Sequence, residues 1–144
     1  MSSLRYELVE HDKGLKEALS IRTKVFVEEL GIPSKLDQDG NDPAAVHMVV
    51  KKGDHAIGTV RIRFLANQQA KLERMAIVKP SRGLGIGRGV ISFIEKELKK
   101  RGTEQIVLHA QHPVIEFYKK CGFEKTGLPF LEAGIKHSRM EKDI

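Results

Sequence analysis

Eight residues, Arg82-Gly83-Leu84-Gly85-Ile86-Gly87-Arg88-Gly89, carry the densest chemical signal in the chain. They stand between an apolar run, Met75-Ala76-Ile77-Val78, and a helical pattern with Val90, Ile91, Ile94 and Leu98 on one face. A strand, a glycine turn and a helix in that order make an anion site. Glycines let the backbone turn tightly and let a ligand come close to it. The first N–H groups of a helix have no partner within it, and the helix dipole places about half a positive charge there. Phosphate oxygens suit such a place, and Arg82 and Arg88 add full charges on either side. The spacing fails both common phosphate loops. No Lys-Ser or Lys-Thr follows Gly87, and Gly-x-Gly-x-x-Gly would need glycine at Arg88 or Val90. What fits is Arg-x-x-Gly-x-Gly, at Arg82, Gly85 and Gly87, and it reads as a cradle for the pyrophosphate of a nucleotide-like cofactor. A glycine turn without a ligand is the plainer reading of the same residues.

Groups able to move protons lie elsewhere in the chain. Tyr118 offers a phenol with an ordinary pKa of about 10. His137 carries an imidazole, which titrates near neutrality. Glu73 and Glu29 are further base candidates, and His47 is a second imidazole. Each has a structural alternative: Tyr118 as core, Glu73 as an ion-pair partner, Glu29 as a solvated helix face, His47 as a satisfied strand residue. Cys121 reads as a buried apolar residue. Asp37, Asp39, Asn41 and Asp42 do not form a calcium loop, because a start at Asp37 puts Asp42 where glycine is needed and Met48 where glutamate is needed. They read as an acidic turn, and no metal site is expected.

These groups need elements to hold them. Arg5 to Glu10 alternates as a strand, and Asp12-Lys13-Gly14 breaks it. Leu15 to Leu30 is helical and stops at Gly31-Ile32-Pro33. After a loop from Ser34 to Pro43, three strands are expected over Ala44–Lys51, Ala56–Leu65 and Lys71–Val78. Val60, Ile62 and Phe64 share one face of the second, and Arg61 and Arg63 the other. The helix after the cradle runs from Val90 to Arg101 and is capped by Gly102. Gln105–Ala110 follows as a strand in a right-handed parallel crossover. Pro113 opens a short helix with Val114, Phe117, Tyr118 and Cys121 as its stripe. Phe123–Lys125 and Ile135–Glu141 close the chain as strands, with Gly127–Gly134 as a loop between them. The order predicts an α/β fold, a mixed sheet with a ligand entering beside the cradle.

The 144 residues make one domain, large enough to bury about two-thirds of the surface of its unfolded chain. No apolar run approaches the ~20 residues of a membrane span, and the N-terminus lacks a signal region. A single cysteine fits a reducing compartment and a cytoplasmic location. The formal charge of +6 leaves phosphate-bearing ligands, nucleic acid or anionic surfaces as partners. Nucleic acid is disfavoured, since the basic residues are scattered, aromatic interleaving is missing and Trp is absent.

The Arg82, Gly85 and Gly87 pattern resembles the acetyl-CoA motif of the GNAT superfamily of N-acetyltransferases. Phe117-Tyr118-Lys119-Lys120-Cys121-Gly122-Phe123 resembles the late Phe-Tyr-x-x-x-Gly-Phe segment of the same family, and Leu72-Glu73-Arg74-Met75-Ala76-Ile77 resembles the strand before its cofactor loop. The order is right and the resemblance covers essentially the whole chain. Ile21-Arg22, Val25-Phe26-Val27, Glu29, Asp39-Gly40, Asp42, His47 and Gly134-Ile135-x-His137-x-x-Met140 look like the small ElaA-like branch. The chain departs from that branch at Leu30 and Lys136.

The resemblance implies a GNAT fold, a mixed sheet of about six or seven strands flanked by helices. It implies acetyl transfer from acetyl-CoA to the amine of a small molecule or peptide, by direct attack in a ternary complex. Met75, Ala76 and Ile77 would run beside the pantetheine arm. Arg82, Gly83, Leu84, Gly85, Ile86, Gly87 and Arg88 would hold the pyrophosphate. Tyr118 would protonate the leaving thiolate, His137 or Glu73 would serve as base, and Glu29, His47 and Arg74 would contact the acceptor. GNAT relatives are often dimers, so a homodimer is compatible with the resemblance. The competing expectations are a CoA sensor without catalysis and a basic phosphate- or nucleic-acid-binding module.

Overall fold

A computed structural model describes residues 4–9 and 12–144. Strand β1 (Leu4–Val9) opens the chain; Glu10, the expected end of this strand, lies outside the described residues. Helix α1 (Asp12–Arg22) follows and continues without a break into a π-helical stretch, Thr23–Glu29. The helix thus starts three residues before the expected Leu15. Asp12-Lys13-Gly14 does follow the end of the strand, but as the first turn of the helix and not as a loop. Gly14 is buried against Val9, and a Cβ there would overlap the Val9 side chain. The π-helical turns bury Val25 and Phe26, and Gly31 with φ 73° ends them. The loop expected after it holds a short helix α2 (Ser34–Asp37).

Strands β2 (Val46–Lys52), β3 (His55–Phe64) and β4 (Gln69–Ile77) form the expected antiparallel meander. Helix α3 (Ile86–Lys100) then crosses to β5 (Gln105–Gln111), which pairs parallel with β4. A 3-10 turn (His112–Val114) leads to α4 (Ile115–Lys120). Ile115 and Tyr118 make its buried side, and Val114, expected on that stripe, is exposed. The chain ends in a long hairpin of β6 (Glu124–Glu132) and β7 (Ile135–Asp143). Most of the expected Gly127–Gly134 loop is therefore strand. Gly127 and Pro129 fit because β6 is an edge strand whose register slips between Thr126 and Phe130.

The seven strands form one mixed sheet in the order β1-β2-β3-β4-β5-β7-β6. One face carries Met48, Val60, Ile62, Leu72, Ile106, Leu108 and Met140, packed with Val90, Ile94 and Leu98 of α3 and with Tyr118 of α4. The other face is polar where the strands meet. It carries His47, Arg61, Glu73, His109 and His137, which the strand registers place in neighbouring rows. α1 and the π-helical stretch lie over part of this face, where Ile21, Val25 and Phe26 pack with Ala76. Among the described residues, no helix is long and apolar enough to cross a membrane.

Candidate active site

A break in strand pairing creates the site. β4 pairs with β3 as far as Ile77, but with β5 only as far as Leu72 opposite Leu108. The cause is a bulge in β4. Between the Arg61–Glu73 and Thr59–Ala76 pairs, β3 spends two residues and β4 three. Arg74 takes up the extra length with φ 55°, a conformation that is strained for a residue with a side chain. Its guanidinium is tied down to the carbonyl oxygens of Leu36 and Asp37 at 3.2 and 3.3 Å and to Asp39 at 3.2 Å. A cleft of about 1140 Å³ opens between the freed end of β4 and β5, with the cradle, α4, the π-helical stretch and the β6–β7 turn around it.

The cradle forms one end. Gly83 and Gly85 have φ of 78° and 77°, and Gly85 stands at the N-terminus of α3. The first α-helical bond runs from the Gly89 N–H to the Gly85 carbonyl at 3.3 Å, and no side chain caps the turn. The preceding N–H groups are therefore free for an anion. α3 begins at Ile86 and not at the expected Val90, so Gly87 and Gly89 are helical. Gly87 is needed for closeness: a Cβ there would come within 2.9 Å of the Phe117 ring. Leu84 is exposed and Ile86 is core. Arg82 is engaged already, donating to the Ile77 carbonyl at 2.8 Å and to the two Glu29 oxygens at 2.7 and 2.8 Å. That pairing holds the Glu29 carboxyl below its ordinary pKa. The residues present fit a pyrophosphate, with Gly85, Gly87 and Arg88 lining the cleft.

Tyr118 lies deeper. Its hydroxyl donates to the Met75 sulfur at 3.3 Å, joining α4 to β4 across the cleft. Burial, helped by Cys121, pushes the phenol above its usual pKa. Burial raises the Cys121 thiol as well, which suits a structural cysteine.

His137 is buried on β7 and lines the cleft. Its Nδ1 lies 2.7 Å from the Ile135 carbonyl oxygen, and its Nε2 lies 3.6 Å from Glu132.

Glu73 also lines the cleft, but three cations hold it: Arg61 at 2.9 Å, Lys71 at 3.1 Å and Arg63 at 3.5 Å. Burial by itself would raise its pKa, and the charges of Arg61 and Lys71 outweigh that and lower it. It is held as a carboxylate and is a weak proton acceptor. His47 is buried elsewhere, its Nε2 3.0 Å from the Asp42 carbonyl oxygen, and it does not line the cleft.

The acidic turn is a set of ion-pair partners. Arg22 and Arg61 are wholly buried. Arg22 reaches Asp42 at 2.6 Å and Asp37 at 3.2 Å. Arg61 reaches Asp39 at 2.8 Å and Asp42 at 3.2 Å. This network joins α1, α2 and the sheet beside the cleft, which Asp37 and Asp39 also line. In the sequence Arg22, Arg61, Arg63 and Arg74 read as surface arginines or as contacts to an anionic acceptor. Arg22 and Arg61 are instead buried in ion pairs, and Glu132 and His109 carry no sequence signal, because their meeting depends on pairing between distant strands.

The chain matches the family model of the acetyltransferase (GNAT) domain over residues 11–144. It is 33% identical over 137 residues to YjcF of Bacillus subtilis, an uncharacterized N-acetyltransferase, covering 94% of this chain and 97% of that protein. Escherichia coli ElaA superposes with a TM-score of 0.85 at 23% identity over 99% of both chains. A Bacillus subtilis acetyltransferase solved in complex with CoA superposes with a TM-score of 0.71 at 18% identity, again over 99% of both chains. The chain belongs to the GNAT acetyltransferase family. It is an acetyl-CoA-dependent N-acetyltransferase.

Proposed function

We propose that the cleft moves an acetyl group from acetyl-CoA to an amine by direct attack in a ternary complex, with Tyr118 as acid and His137 as base. The observation that carries this reading is their placement. Tyr118 on α4 and His137 on β7 line the same cleft, beside the end of β4 that β5 leaves unpaired.

Acetyl-CoA supplies an activated acyl group on a thiol leaving group. The cradle from Gly83 to Arg88 holds its pyrophosphate through backbone N–H groups and Arg88. The backbone of Met75, Ala76 and Ile77, without a strand partner on the β5 side, offers strand-like partners to an amide-bearing arm, with the Ile77 carbonyl already taken by Arg82. The helical wall with Val25 and Phe26, together with Arg74, bounds the acceptor end, while Glu29, paired with Arg82, stands beside the cradle. His137 takes a proton from the incoming ammonium, because an ammonium has no lone pair to attack with. Its Nδ1 hydrogen is committed to the Ile135 carbonyl, which leaves Nε2 as the accepting atom. The new C–N bond forms as the C–S bond breaks, the Tyr118 hydroxyl gives its proton to the sulfur, and the second proton that the nitrogen sheds on becoming an amide restores the phenol by way of solvent. Burial keeps the phenol protonated but also makes it a weaker acid, so the transfer depends on the thiolate forming directly against the hydroxyl. Glu73 serves as the counter-charge that fixes Arg61, Arg63 and Lys71, and we do not assign it the base. The free Cys121 supports a reducing, cytoplasmic setting.

Steady-state turnover with acetyl-CoA and a library of amines, read as thiol release, tests the assignment. Tyr118→Phe and His137→Ala are expected to lower kcat by about 100-fold or more each. Full turnover and an unchanged pH profile in both variants would overturn it.

A further inference from the structure

We propose that the acceptor is a cationic aliphatic amine, received between Nε2 of His137 and the carboxylate of Glu132, with His109 holding that carboxylate in place. This deepens the acetyl-transfer reading and rests on it.

The His137 Nδ1 lies 2.7 Å from the Ile135 carbonyl oxygen, which only accepts, so Nδ1 carries the hydrogen. In the neutral ring Nε2 is then an acceptor. It faces Glu132 Oε2 across 3.6 Å. Two acceptors that face each other at this distance do not satisfy one another. A group that bears a positive charge and at least two N–H bonds satisfies both. An alkylammonium does, whereas an arylamine, neutral near pH 7, offers N–H bonds without the charge.

The surroundings fix this arrangement. The second oxygen of Glu132 lies 3.0 Å from His109 Nδ1. Phe130 stacks on His137 with ring centres 6.1 Å apart and meets His109 edge-on at 4.9 Å. The three polar side chains come from β5, β6 and β7, on three adjacent strands. Phe130 is the strand partner of His137, and Glu132 is the partner of Ile135, whose carbonyl binds His137. His109, Glu132 and His137 all line the cleft, and the Glu132 side chain is 44% exposed, so a ligand reaches it.

Each residue then has a distinct task. Glu132 supplies the charge that selects an ammonium. His137 takes one of its protons, which leaves a neutral amine with a free pair and an imidazolium beside the same carboxylate. His109 is a positioning residue that acts through Glu132.

The test uses the full chain with CoA present and n-butylamine hydrochloride as probe. Imidazole nitrogens are followed by long-range proton–nitrogen NMR, with His137 assigned through His137→Asn. The proposal expects a saturable shift of His137 Nε2. It expects the affinity to fall about tenfold or more in Glu132→Gln, the loss of a charged hydrogen-bond partner. Butyltrimethylammonium chloride, which has no N–H, should give no such shift. No shift in the wild-type chain, or equal affinity in Glu132→Gln, overturns the proposal. A kinetic arm separates it from the reading it rests on. Glu132→Gln should raise KM for butylamine with kcat nearly kept, and leave KM for aniline unchanged. Acetyl transfer indifferent to Glu132→Gln sinks the ammonium site and spares the transferase reading. A normal NMR response without transfer to any amine does the reverse.

Discussion

Arg82 grips Glu29 with two parallel hydrogen bonds of 2.7 and 2.8 Å, linking the start of the cradle to the end of the π-helical wall. Both side chains remain more than a third exposed, so the pair is easily exchanged. A pyrophosphate arriving at the cradle would compete with Glu29 for the guanidinium. Glu29→Gln should therefore tighten acetyl-CoA binding by about two- to fivefold, the range of an exposed ion pair. Arg82→Ala should weaken it. Titration calorimetry measures both, and equal affinity in the two variants would show that Arg82 keeps Glu29 throughout.

Tyr118→Phe separates folding from chemistry. The lost hydrogen bond ends on a thioether sulfur, a weak acceptor. Thermal unfolding should change by less than about 1 kcal/mol, while kcat falls by about 100-fold or more. Because burial raises the phenol's pKa, wild-type activity should show no alkaline decline from Tyr118 near or below its ordinary value of about 10. A variant that loses stability and activity in proportion would assign Tyr118 to the core alone.

Arg22 holds the acidic turn together from a wholly buried position. Arg22→Met removes the charge and leaves Asp37 and Asp42 buried without their main partner. Breaking one side of a buried pair costs about 3–5 kcal/mol, and denaturant unfolding should show a loss of that size. A loss under about 1 kcal/mol would mean that water replaces the guanidinium freely.

The same network sets the acid limit of the fold. Hydrogen bonds from Arg61 lower the pKa of Asp39. For Asp42 and Glu73, burial opposes ionisation, and the nearby arginines more than offset it. All three carboxyls therefore bind protons less readily in the folded chain than in the unfolded one. The stability they contribute is complete above the unfolded carboxyl pKa of about 4. It is lost as pH falls from there through the lowered folded values. Equilibrium unfolding between pH 6 and about 2 should show a plateau and then a steep decline. Arg61→Met should flatten that decline, and a slope unchanged by the substitution would remove Arg61 as its cause.

What the sequence disclosed was local. The cradle, the crossover helix and the order of strands follow from glycines, apolar periods and caps within short windows, and all are present. Boundaries moved where tertiary packing overrode local signals. Gly14 belongs to a helix because α1 approaches Val9 closely. Gly127 and Pro129 lie in a strand because that strand is an edge. The π-helical stretch has no signature that periodicity can detect. The Arg61 network and the His109–Glu132–His137 group were not legible for a different reason. Their members lie on separate strands, and only the register and the β4 bulge bring them together. Arg61 looks like an exposed strand arginine until Asp39, Asp42 and Glu73 are placed around it.

On the acetyl-transfer reading, the cradle and the open end of β4 receive acetyl-CoA. Calorimetric titration of the chain with acetyl-CoA tests it most directly. We predict saturable binding of about one equivalent at micromolar ligand, near −8 kcal/mol, and its loss in a Gly85→Val, Gly87→Val variant. No binding at millimolar acetyl-CoA, or binding untouched by those two changes, would contradict it.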